Sequence, residues 1–233
     1  MRLRIGLLSV LFLTATVSAY GFDIVIDNFS CSDSASVTGT SFKSSFISCP
    51  GSLGGEREDF FVFLSGPSDS VSTINSNPPA GAITGTFGPG ITGFEGMIWG
   101  ATPTMTDTLP NLDFVGDSVL VQIQSDSAGT LVLTLASNST NYDIYTATFA
   151  GKSIYQDVLI PFTNPTVGGT GANLDEVESI NLDVTLDTPG GTWTIDGVDA
   201  VPTPEPSTLL LLTIGLLLVV IVHFRRRQTG DVS

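Results

Sequence analysis

The sequence predicts an all-β fold, an antiparallel β-sandwich or jelly roll, followed by a single C-terminal transmembrane helix. Three observations predict it. Between Phe22 and Asp199 there is no helical periodicity; short runs rich in Val, Ile, Thr, Phe and Tyr recur, punctuated by Gly, Pro, Asn and Ser. Several of those runs alternate apolar and polar residues, as strands with one buried face do. Beyond Ala200 an apolar stretch without a polar face ends in three arginines.

The first element is "MRLRIGLLSVLFLTATVSAYG". Arg2 and Arg4 precede an apolar run from Ile5 to about Leu13, and Val17-Ser18-Ala19 supplies small residues for cleavage. This is the pattern of a signal peptide over 1–19, cut after Ala19 by signal peptidase once the secretion machinery has exported the chain.

The exported domain follows over 22–200. Its expected strands are "FDIVIDNF", "EDFFVFLS", "GAITGTF", "ITGFEGMIW", "SVLVQIQS", "TLVLTLAS", "YDIYTATF", "SIYQDVLIPF", "VESINLDVTL" and "TWTIDGVDAV". Many short strands at fairly even spacing favour a sandwich over a parallel α/β sheet. Val119, Val121 and Ile123 should share one face of their strand. Ile180, Leu182, Val184 and Leu186 should do the same in theirs. "SAGT" at Ser127–Thr130 and "TPGG" at Thr188–Gly191 read as hairpin turns. "NPTVGGTGANLDEVES" reads as a loop ending in a helical turn at Asp175–Glu178.

Residues 201–206 form a Pro-rich linker, and Ser207–Phe224 approach the ~20 residues that cross a bilayer as a helix. Arg225, Arg226 and Arg227 open a basic tail over 225–233 that should stay cytoplasmic, leaving the domain outside.

Charge and composition exclude several classes of function. The exported part carries three basic residues, Lys43, Arg57 and Lys152, against 21 acids, a net charge of −18. Such a surface repels nucleic acid and anionic lipid. His223, the one histidine of the chain, sits at the end of the expected membrane span. A Ser-His-Asp or Cys-His arrangement, or a His-ligated zinc, therefore cannot form within one exported domain. Cys31 and Cys49 have no metal-like spacing, and an even pair in an exported chain reads as a disulfide.

Carboxylate chemistry stays open, because glycoside hydrolysis needs only two acids. Glu56, Glu58 and Asp59 in "GGEREDF", and Asp175, Glu176 and Glu178 in "NLDEVES", are the clusters that offer it. For a cofactor the expectation is none, with calcium as the one alternative. Asp23 and Asp27 in the first strand would stand near Asp196 and Asp199 in the last if those strands pair. Trp99, Tyr142, Tyr145, Tyr155 and Trp193 are the aromatics available for stacking on sugar rings, with Trp193 expected to be the most exposed. Asn28-Phe29-Ser30 and Asn138-Ser139-Thr140 match the glycosylation sequon.

The C-terminus resembles a PEP-CTERM sorting signal. Its three parts are Pro204-Glu205-Pro206, the hydrophobic span Ser207–Phe224, and Arg225-Arg226-Arg227. The resemblance implies recognition by an exosortase, a membrane enzyme of Gram-negative bacteria that make exopolysaccharide. It implies a single-pass inner-membrane precursor, then loss of the tail and a place at the cell surface or in the extracellular matrix. The six residues after the arginines depart from the usual earlier stop of such signals. The prolines suit the role, because they hold an extended segment beside the membrane and leave Glu205 as the recognised charge. More loosely, "IDNFS", "LGGERED", "LTLASN" and "LDVTL…WTIDGVDAV" make residues 22–200 similar to β-jelly-roll domains found ahead of this signal. Those folds are similar to galactose-binding and carbohydrate-binding modules, which points to a non-catalytic role with exopolysaccharide or biofilm. A glycan-active enzyme and a permanently anchored surface protein are the alternatives.

Overall fold

The computed structural model describes residues 24–39, 42–76, 81–100, 114, 117–202 and 215. Asp23–Val201 forms one compact unit. The expected signal peptide with Ala19, and the span over 207–224 with its flanking Pro204, Glu205, Pro206 and Arg225–Arg227, lie outside the described residues apart from Gly215. Among the described residues no helix is long and apolar enough to cross a membrane.

The unit is an antiparallel sandwich of two seven-stranded sheets. Fourteen strands are described: β1 (Ile24–Asp27), β2 (Asp33–Thr38), β3 (Lys43–Ser48), β4 (Glu56–Ser65), β5 (Val71–Ser76), β6 (Ile83–Thr86), β7 (Thr92–Trp99), β8 (Asp117–Ser125), β9 (Gly129–Ala136), β10 (Tyr142–Phe149), β11 (Lys152–Pro161), β12 (Thr166–Gly168), β13 (Ser179–Leu186) and β14 (Thr192–Pro202). One sheet runs β11-β8-β14-β6-β5-β2, with β1 also paired to β14. The other runs β12-β10-β9-β13-β7-β4-β3.

Alternation builds the core as the sequence requires. Val119, Val121 and Ile123 are fully buried, and so are Ile180, Leu182 and Val184 on the facing sheet. Leu186, at the end of β13, is only half-buried. Trp99, Phe61 and Met97 extend the same core.

Four strands were not expected from the sequence: β2, β3, β5 and β12. Two expected hairpins are also corrected. Ser127–Thr130 carries the chain from β8 in one sheet to β9 in the other, and Thr188–Gly191 carries it from β13 to β14 across the same gap. A tight turn specifies a reversal of the chain; which sheet receives the next strand is decided by packing. The expected helical turn at Asp175–Glu178 is instead a plain turn, closed by the Glu176 amide donating to the Asn173 carbonyl at 2.9 Å.

Cys31 and Cys49 are joined, with Cα atoms 5.6 Å apart. Cys31 precedes β2 in one sheet and Cys49 follows β3 in the other, so the bond fastens the two sheets at one edge.

Candidate functional site

The polar residues of β4 divide by strand parity into two groups with different surroundings. Arg57 and Asp59 point into the core, while Glu58 points to the opposite, outer face. The expected carboxylate trio of Glu56, Glu58 and Asp59 is thereby broken up. Asp175 and Glu176 of the second trio lie exposed on their turn.

Arg57 is fully buried between the sheets. Its Nε donates to Asp59 Oδ1 at 2.7 Å and its Nη1 to Asp27 Oδ2 at 2.9 Å. Its Nη2 reaches Ser76 Oγ at 3.1 Å. The guanidinium also lies 5.1 Å from the centre of the Phe29 ring. Phe29 itself is held at φ 49°, a left-handed backbone that costs on the order of 1 kcal/mol or more. The Phe29 amide donates to Asp27 Oδ1 at 2.7 Å and steadies that turn. Burial pushes the Asp59 carboxyl up to about 7 against the pull of Arg57, and the charge of Asp33 adds to the push.

This geometry decides the role of Asp27. The first and last strands do pair, Val25 opposite Asp199 and Asp27 opposite Val198. Yet Asp27 faces inward and spends its carboxylate on Arg57, Phe29 and the Trp99 indole, which donates at 2.9 Å. Asp196 and Asp199 alternate with buried neighbours and face the other way, and Asp23 lies outside the described residues. Among the described residues no group of three or more His, Cys, Asp or Glu is placed to hold a metal ion.

The aromatics also sort by parity. Trp99, Trp193 and Tyr145 belong to the core. Trp193, expected to be the most exposed, is fully buried because its indole donates to Glu95 Oε2 at 2.9 Å between the sheets. Tyr155 is 42% exposed on the edge strand β11. Tyr142 lies on the outer face of the second sheet, its ring over Gly168. Asn28 is exposed, and Asn138 holds its own turn by accepting from Thr140 and Asn141.

That outer face is where aromatic, amide and carboxyl side chains meet. Register sets Phe46, Glu58, Ile98, Asn181, Thr134 and Ile144 side by side across six strands. The next row reads Ser44, Phe60, Gly96, Asp183, Val132 and Thr146. Gly96 is required there: a Cβ would stand 2.5 Å from the Phe60 ring and 2.6 Å from Asp183 Oδ1. Both groups therefore lie directly over the β7 backbone. Phe94 meets Phe60 edge-on, ring centres 6.2 Å apart.

Two polar atoms on this face are buried without a partner, Asn181 Oδ1 and Asp183 Oδ1. The Asn181 amide reaches only the other oxygen of Asp183, at 3.4 Å. Burial pushes the Asp183 carboxyl up to about 6, with that contact opposing the shift. Burial also raises Glu58, while the Ser44 hydroxyl pulls it back. Phe60 is itself buried and Phe94 half-buried, so Phe94 beside the orphaned acceptors is what suits a ligand that offers ring faces and O–H or N–H donors.

The C-terminal segment supplies the second functional element. Residues 202–227 match the family model of the PEP-CTERM protein-sorting motif. The chain carries a PEP-CTERM sorting motif. The match opens at Pro202, the last residue of β14, so the PEP-CTERM segment begins where the sandwich ends. It includes Pro204, Glu205, Pro206 and Arg225–Arg227.

No curated protein matches the chain. Among solved structures it is similar to the family 11 carbohydrate-binding module from Clostridium thermocellum in complex with a β-1,3-1,4-mixed-linked tetrasaccharide. Identity there is 15%, over 78% of this chain and 97% of that one, with a TM-score of 0.41. A family 29 carbohydrate-binding module shares 8% identity over 74% of this chain and 90% of its own, TM-score 0.38. An agarase shares 10% over 64% of this chain and 24% of its own, TM-score 0.39. At such low scores these likenesses say nothing of a ligand for this chain.

Proposed function

We propose that this is an exported, non-catalytic, glycan-binding protein of the cell surface or extracellular matrix, delivered through its PEP-CTERM motif. The motif carries the sorting half of the reading: it marks an exported protein that an exosortase processes at the membrane. In the precursor, Ser207–Phe224 crosses the inner membrane once, with Arg225–Arg227 kept inside by their charge. The observation that carries the binding half is the outer face of the second sheet, where the half-buried Phe94 packs edge-on against buried Phe60, beside the unpartnered oxygens of Asn181 and Asp183. Sugar rings present apolar C–H faces to aromatics and hydroxyls to such acceptors.

Two measurements test the two halves separately. Intact mass of the protein from wild-type cells should show loss of the segment beyond the PEP residues, and cells without the exosortase should keep it. Equal masses in both would end the sorting reading. Affinity electrophoresis through gels containing the organism's own exopolysaccharide should retard the wild-type domain and release the Phe94→Ala variant. If both migrate as they do in a blank gel, the binding reading is wrong.

A further inference from the structure

We infer that the outer face of the second sheet takes a cationic amino-sugar polymer, with the free amine received by Asp183 and Asn181. The inference rests on the glycan-binding reading above and names the class of glycan.

Charge complementarity is the argument. The exported part carries a net charge of −18, which draws polycations and repels polyanions before contact. Its three basic residues are all turned away from this face. Arg57 is sealed in the core with Asp27 and Asp59. Lys43 bonds the Ser36 carbonyl of the opposite sheet, and Lys152 belongs to β11 of that sheet. The face therefore has no group to pair with a uronate or sulfate.

What it does have is acceptors. Asn181 Oδ1 and Asp183 Oδ1 lack partners although both atoms are withdrawn from solvent. Glu58 lies one register row away, across the β7 strand. A neutral hydroxyl could bond these oxygens, but an ammonium makes a charge-assisted bond roughly twice as strong and offsets the desolvation of the carboxylate. Phe60 is buried beside Asp183 over Gly96, and the half-buried Phe94 meets it edge-on, so a sugar ring resting on Phe94 would aim a ring substituent toward the carboxylate.

The ionisable group facing Asp183 on this surface is Glu58; Ile98, Gly96 and Val132 on the intervening and adjoining strands carry no charge. Asp183, pushed up to about 6, is charged at neutral pH and discharged in mild acid. A glucosamine amine sheds its own proton close to neutrality, so binding should rise from pH 5 as Asp183 ionises and fall again above pH 7 as the amine discharges.

Calorimetry on the full chain in mild detergent tests this, using a β-1,4-linked glucosamine oligomer, its fully N-acetylated counterpart and a uronic-acid oligomer of equal length. The glucosamine oligomer should bind at least tenfold more tightly than the acetylated one, and the uronate should not bind. Asp183→Asn should weaken glucosamine binding about tenfold, the loss expected of one charge-assisted contact. Asn181→Asp, which adds a carboxylate without removing bulk, should strengthen it severalfold. Asp157→Asn, an equal charge change on the outer face of the other sheet, should leave it within twofold. Thermal melts should show all three variants folded. If the acetylated or uronate oligomer binds equally well, the amine inference fails and glycan binding stands. If Asp157→Asn costs as much as Asp183→Asn, the attraction is general and the site is overturned. If no oligomer binds, the amine inference falls, and migration in the exopolysaccharide gel alone decides the glycan-binding reading.

Discussion

Arg57, the one guanidinium between residues 22 and 199, sits at full burial with carboxylates on two sides. A buried ion pair adds little net stability over an apolar replacement, but breaking one leaves an uncompensated charge. Arg57→Ala should therefore lower the unfolding free energy by about 3–5 kcal/mol. Urea titration would show it, and a loss below about 1 kcal/mol would mean the surrounding acids are already neutral. Glu95 tests the opposite case. It is buried with a single donor, the Trp193 indole, and its Oε1 has no partner. Burial raises its carboxyl well above the ordinary range, as it raises Asp59 to about 7. The sign is fixed by linkage. The unfolded chain gives up these protons near pH 4, whereas the folded state holds them longer. Their contribution is full below pH 4; the Asp59 part is lost as pH rises through about 7, and Glu95 adds a loss in the same direction. Denaturant midpoints at pH 4.5 and 7.5 should fall in that order, and Glu95→Gln should flatten the slope. A midpoint higher at pH 7.5 would show that these carboxyls ionise freely in the fold. Parity along "EREDF" was legible, since residues two apart share a face. Which face turned inward was not, because the side carrying Arg57 and Asp59 looks like the solvated one until Asp27 arrives from β1.

At the scale of the strand, legibility followed side-chain bulk. Val119, Val121 and Ile123 announce β8 because alternating large apolar residues have one sensible orientation. β2 and β3 gave no such signal. They lie between the two cysteines in a stretch of Ser and Thr, and as edge strands they bury little: Ala35 and Val37 are the buried apolar residues of β2. β5 lies inside its sheet, yet of its inward residues Ser72, Ile74 and Ser76, Ile74 alone is large and apolar. Their pairing is therefore enforced by neighbours and by the covalent bond of Cys31 to Cys49. This element-level dependence has a measurable cost. Replacing both cysteines by serine should destabilise the fold by about 3 kcal/mol, the loop-closure contribution for a separation of 18 residues. The loss should appear as faster hydrogen exchange first in β2 and β3 and last in β8 and β9. Equal exchange in all four strands would mean that packing alone holds this edge.

For the whole molecule, the boundary at Pro202 separates two kinds of information. Asp23–Val201 is a compact unit whose register and burial make the fold, and the PEP-CTERM motif begins as its last strand ends. The motif was fully legible in the sequence because its parts are local: Pro204-Glu205-Pro206, an apolar run, and three arginines. The proposed glycan-binding face was not, because Phe60, Gly96 and Asp183 come from three strands that only the register brings together. Glu205 is therefore expected to govern where the protein goes without touching its fold. Bracketed by Pro204 and Pro206, it stands outside the strand pattern of the sequence. Glu205→Ala should leave the domain's unfolding free energy within about 0.5 kcal/mol, as for a surface substitution. Its destination should change completely. With the PEP residue gone the exosortase should leave Ser207–Phe224 attached, and a span of this length holds a protein in the bilayer far more firmly than any surface contact. A domain of net charge −18 is repelled by anionic lipid, so retention in the membrane is expected to depend on Ser207–Phe224. Native cells expressing the variant should retain it in a membrane fraction that resists high salt and carbonate, at the mass of the uncut form. Removing Arg225–Arg227 should act differently, by weakening the orientation of the span and lowering the amount exported. If Glu205→Ala reaches the same fraction as the wild type with the same shortened mass, the acid is no part of what the enzyme reads, and the prolines or the span must carry recognition instead.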